Sequence, residues 1–179
     1  MGLRILHGNV LDAKTDSIVL TIDGLAQGME GGIARVFAKK WPEAWEEIEC
    51  EIPYPMTLGE VIGVEPSSGS PFRLVIIAST LHHNDTLSES DKKGVVRTAI
   101  IEAMHIASGY AIRSIASPVM SGGWRLSPSS AFMAMVEAYE EFVQKGKDLS
   151  LHIHVLDTKQ YEIISSIARG MGILSSENI

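Results

Sequence analysis

The chain has 179 residues, 45% of them hydrophobic, and a formal net charge of −7. That length and apolar content suit one domain with a full core and exclude a disordered chain, while the acidic balance argues against general nucleic-acid binding, which relies on Lys and Arg to displace counterions. A lone cysteine, Cys50, rules out an internal disulfide, and no apolar run approaches the ~18 residues of a membrane span or forms a secretory leader. The expectation is a soluble cytoplasmic protein without a membrane partner, in which Cys50 is a small apolar residue near a helix end.

Leu3 to Leu6 and Ser17 to Ile22 are short apolar runs bounded by His-Gly-Asn and Asp-Gly, and predict buried strands. Gly28-Met-Glu-Gly-Gly-Ile-Ala-Arg35 then leads into a helix over Gly32 to Lys40, with Ile33, Val36 and Phe37 on one face. Pro42 stops that helix, and Glu43 to Cys50 predicts a second. Gly59 to Glu65 and Arg73 to Ser79 flank the turn-rich stretch Pro66-Ser-Ser-Gly-Ser-Pro71, which predicts two adjacent antiparallel strands.

In the second half, Asp91 is the expected cap of a helix over Lys92 to Ser108, closed by Gly109, with Val96, Ala99, Ile100, Ala103, Met104 and Ala107 as its apolar stripe. A strand over Arg113 to Val119 runs into the segment Pro118-Val-Met-Ser-Gly-Gly-Trp-Arg-Leu-Ser-Pro128. Pro128 and Ser129 open a helix through Gln144, Leu151 to Leu156 predicts the last strand, and Thr158 to Gly170 the last helix. About six strands interleaved with four or five helices predict one three-layer α/β/α domain over residues 1–174. Its sheet is expected to be mixed, mostly parallel and six-stranded, with residues 175–179 as a frayed tail.

The two glycine segments lie about 90 residues apart, each at a strand-helix junction. Glycines let consecutive backbone N–H groups turn toward one anion, and the following helix adds the positive end of its dipole. Together they read as two walls of one pocket gripping a ligand with more than one phosphate. Neither a P-loop nor a Gly-x-Gly-x-x-Gly fingerprint is present. His82-His83-Asn84-Asp85 and His152-Ile-His154 are weak candidates for a metal site; polar strand positions under a helix explain them more simply. No metal or cofactor is expected.

In order and spacing, Gly8 to Leu11, Asp16 to Val19, Gly28 to Arg35, Thr57 to Val61 and Ser121 to Pro128 resemble the macrodomain family, over roughly Leu3 to Gly172. The resemblance implies binding of ADP-ribose or a related nucleotide diphosphate, with an ADP-ribosylated protein as a further partner. Its alternative implication is a hydrolase acting on ADP-ribosyl esters, O-acetyl-ADP-ribose or ADP-ribose 1″-phosphate.

Residue by residue, the resemblance places Asn9, where relatives carry Asp, at the adenine amine, with Val10 beside it; the other reading of Asn9 is a turn after the first strand. Leu20-Thr-Ile-Asp23 stands where the hydrolases have Asn-Ala-Ala-Asn, so Asp23 either approaches the distal ribose, as a ribose contact or a base toward water, or simply forms an Asp-Gly turn. Gly31, Gly32 and Ile33 match the first glycine loop. Glu30 within that loop is either a base near the ribose or an outward, solvated carboxylate, and Arg35 is read as solvent-facing beside Lys39.

Ser121, Gly122 and Gly123 match the amides that wrap the pyrophosphate. Trp124 and Arg125 would cover the ligand, Arg by pairing with phosphate and Trp by packing on ribose. Leu156 replaces an aromatic that stacks on adenine, which implies weaker adenine affinity.

Overall fold

The computed structural model describes residues 2–25, 27–28, 31–121 and 125–173. In chain order the elements are β1 (Leu3–His7), a 3-10 turn (Val10–Asp12), β2 (Ser17–Asp23), α1 (Gly32–Lys40), α2 (Pro42–Glu51), β3 (Val61–Val64), β4 (Leu74–Leu81), α3 (Glu89–Gly109), β5 (Ser114–Pro118), α4 (Pro128–Gln144), β6 (Ser150–Val155) and α5 (Thr158–Gly170). The strands form one six-stranded sheet in the order β1-β6-β5-β2-β4-β3. All neighbours pair in parallel except β3, which lies antiparallel to β4 as the expected hairpin.

Strands buried on both faces read as continuous apolar runs, and the period of two distributes each run between two cores. Ile18, Leu20 and Ile22 of β2 pack with Phe37 of α1 and Ile48 of α2, whereas Val19 turns to the other face with Ile100 and Met104 of α3 and Phe132 and Met135 of α4. The result is the expected three-layer α/β/α arrangement. Among the described residues no helix is long and apolar enough to cross a membrane.

Three local expectations are corrected. The core-facing residues of α1 are Ala34 and Phe37, while Val36 is 48% exposed and Ile33 only partly buried. The cap of α3 is Ser88, whose Oγ accepts from the Asp91 N–H at 3.2 Å and donates to the Asp91 carboxylate at 2.6 Å; Asp91 is the third helical residue, the reciprocal partner in a capping box. Cys50 sits near the end of α2 as expected, but it is exposed.

Phe132 is fully buried where α4 meets the sheet. Phe132→Ala is expected to lower unfolding stability by ~3–5 kcal/mol, read from urea denaturation, because the lost burial and the cavity add.

Candidate functional site

β2 and β5 are parallel neighbours, yet the chain leaves them toward opposite faces, from β2 into α1 and from β5 into α4. In an open α/β sheet such a switch point leaves a crevice beyond the carboxyl ends of the strands. A cleft of about 630 Å³ opens there. Its walls are Gly8, Asn9 and Val10 after β1, Gly32, Ile33 and Val36 of α1, Pro118, Val119 and Ser121 after β5, and His154 to Asp157 with Gln160 at the β6-α5 junction.

The start of α1 is shaped for close approach. Its N-cap, Gly31, offers no capping side chain, so the first amides keep their donors and the dipole its positive end at the cleft wall. A Cβ on Gly31 would stand 2.6 Å from the Thr21 carbonyl oxygen, so the loop can cross the end of β2 only as glycine. By contrast, α4 and α5 are capped by their own Ser127 and Asp157 side chains.

Of the residues singled out in the sequence, Asn9, Val10, Gly32, Ile33, Ser121 and Leu156 line this one cleft, and Gly31 adjoins it. Asn9 Oδ1 accepts from the Leu11 N–H at 3.0 Å, so it also makes the turn after β1. Leu156 is 72% exposed at the rim. Arg35 is exposed, as expected. Glu30, Gly122, Gly123 and Trp124 lie outside the described residues.

Two charged candidates are placed differently from the first expectation. Asp23 is buried: its Oδ1 accepts from the Leu25 N–H at 3.0 Å, and its Oδ2 from the His83 backbone N–H at 2.8 Å and the His83 ring Nδ1 at 3.0 Å. The turn reading of Asp23 therefore holds, with a tie to the loop after β4 added. Arg125 pairs inside the protein with the Asp85 carboxylate and with the carbonyls of His82 and Asp85; burial of both partners makes that commitment firm, so the guanidinium is not aimed at a ligand.

Sequence reasoning missed Val36, His154 and Gln160 as cleft residues. The signal for Val36 was an apolar stripe on α1 wider than the core needs. His154 lies on β6 with His152, and both are held below the ordinary histidine range, chiefly by burial. Arg4 adds to this for His152; for His154, His152 adds to it and Asp12 opposes it. Among the described residues neither ring nitrogen of His154 has a hydrogen-bond partner, and no group of three His, Cys, Asp or Glu is gathered to hold a metal ion.

No family profile matches the sequence, and no curated protein is significantly similar to it. Solved structures do match. A variant of the Oceanobacillus iheyensis macrodomain superposes with a TM-score of 0.81 at 19% identity, covering 94% of this chain and 92% of that one. The same protein with ADP gives 0.79 at 20% identity over 94% and 90%. The Trypanosoma brucei macrodomain in complex with ADP gives 0.75 at 16% identity over 92% and 68%. This chain has the macrodomain fold.

Because His152 and His154 are kept neutral in the folded state, the unfolded chain binds more protons below ~pH 6.5, and stability falls as pH drops through that window toward the lowered folded values. Urea midpoints are expected to decrease from about pH 7.5 to about pH 5.5, and the His152→Gln, His154→Leu double variant to flatten that decrease.

Proposed function

We propose that the cleft binds ADP-ribose or a closely related nucleotide diphosphate. One observation carries the reading: the start of α1, without a capping side chain, and the loop entered through Ser121 face the same cleft at the switch point of the sheet. The volume, about 630 Å³, falls within the range of small-molecule sites. Structural neighbours with ADP or ADP-ribose in place support it further.

In this reading the pyrophosphate lies between the α1 amides and the second glycine loop, Gly122 and Gly123 included. The nucleoside lies toward Asn9, Val10, Val36 and Leu156, with the base packed by aliphatic side chains instead of stacked on a ring. An ADP-ribosylated protein is a second partner class, since the cleft is open at its rim. None of the described cleft residues is Lys or Arg. Phosphate recognition would therefore rest on backbone amides and the helix dipole, with little counterion release.

Titration calorimetry should give heat with ADP-ribose and at least ~10-fold weaker binding of AMP and of ribose 5-phosphate, about 1.4 kcal/mol or more. No heat at millimolar ADP-ribose rejects the reading. Gly31→Ala should weaken ADP-ribose by a similar factor while the fold, checked by circular dichroism, persists, because the added methyl pushes the loop off β2. Affinity should change little between low and high salt; a steep loss with salt would show that cations, not amides, hold the phosphates.

A further inference from the structure

The carboxylate of Asp23 is 4% exposed, at a register shift that ends β2, and it does more than close a turn. The turn uses only Oδ1, through Leu25 N–H. Oδ2 holds His83 twice, by its backbone N–H and by ring Nδ1. A carboxylate can only accept, so the ring proton belongs on Nδ1 and Nε2 carries the lone pair. Among the described residues nothing bonds Nε2, and the His83 side chain is 49% exposed. This is a buried acid that fixes the tautomer and orientation of an imidazole whose basic nitrogen faces solvent.

The loop that carries His83 is braced on both sides. The His82 ring Nε2 lies 2.9 Å from the Met56 carbonyl, Met56 N–H donates to Gly24 at 2.7 Å, and Gly24 N–H to Leu81 at 3.0 Å. Arg125 binds the His82 carbonyl and the Asp85 carboxylate, so the far end of the second glycine loop is clamped to the same segment. Thr80, Leu81 and Asp85 of this segment line a recess together with Ser121 and Arg125. Ser121 also lines the main cleft, so the recess continues it past the second loop, away from Asn9 and Leu156. A ligand whose base lies at Asn9 and whose pyrophosphate lies at the loops would direct its distal sugar toward this end.

We infer that His83 is a catalytic general base, positioned by Asp23, for hydrolysis of an acyl ester on the distal ribose. This inference rests on the ADP-ribose reading of the cleft. His83 Nε2 takes a proton from water as the water oxygen bonds the acyl carbon; the tetrahedral adduct then collapses with cleavage of the acyl C–O bond. The proton on Nε2 passes to the departing ribose oxygen, leaving a ribose hydroxyl and a carboxylic acid that releases its own proton to solvent. Asp23 stays ionised throughout and stabilises the imidazolium formed in between.

The test uses the full chain and reads binding and turnover separately. Wild type is expected to bind ADP-ribose and to hydrolyse O-acetyl-ADP-ribose. His83→Ala should lower kcat by ~10²–10⁴-fold and leave the ADP-ribose Kd nearly unchanged, and added imidazole should restore part of the lost rate. Asp23→Asn should lower kcat through the tautomer, and nitrogen NMR should show His83 protonated on Nδ1 in wild type and losing that preference in the variant.

Wild type that binds ADP-ribose without turning over the ester overturns the inference and leaves the binding reading standing. The inference is also overturned by full turnover in His83→Ala, by a loss that imidazole does not repair, or by an Nε2-protonated His83 in wild type; the NMR result does not depend on any variant folding. Absence of ADP-ribose binding removes the binding reading and this inference together.

Discussion

Everything at the site depends on one pairing: β2 beside β5, parallel and in register at Ser17 with Ile115, with the two chains departing to opposite faces. Two layers of helix cannot both cover the carboxyl ends of strands from which the chain diverges, so the crevice follows from topology, before any side chain is considered. The side chains then decide what it is for. Apolar residues of α1 that find no room in the core, Val36 above all, become its wall, and glycine at position 31 lets the backbone come down onto β2.

Much of this was legible in the sequence because it is written in local signals. Uninterrupted Ile and Val runs in β2 and β4 announce strands buried on both faces, Pro42 and Pro128 mark helix starts, and the turn between β3 and β4 gives the single antiparallel pair. The order of the glycine segments was enough to bring Asn9, Gly32 and Ser121 to one cleft. Helix facing was less legible. Ile33, Val36 and Phe37 have the spacing of one apolar face, and only the tertiary arrangement distinguishes Phe37, which enters the core, from Val36, which lines a cleft.

Charged residues were the least legible, and for a physical reason. Whether a carboxylate or guanidinium faces ligand or protein depends on partners far away in sequence. Asp23 is satisfied by His83, 60 positions on, and Arg125 by Asp85, 40 positions back. No window of sequence contains both members of either pair. Ser88 and Asp91 differ in that the true cap lies three residues from the expected one, so the Ser-x-x-Asp pattern was available locally.

These two long-range pairs also bear on how an acidic chain can admit an anion. Formal charge would place Asp23 and Asp85 among the obstacles to a pyrophosphate, since each stands in a segment next to a glycine loop. In the folded chain Asp23 accepts three hydrogen bonds, and Asp85 pairs with a guanidinium of comparable burial. Their charges are answered within the protein, so the field reaching the recess is weaker than the count of carboxylates suggests. Asp157 has a different arrangement: its carboxylate caps α5 at the opposite end, by Leu156, where a nucleobase would lie rather than a phosphate. The cleft thus keeps its unanswered acid away from the amide-rich wall of α1, a division of charge along its length that gives the bound molecule a polarity, base toward α5 and phosphates toward α1.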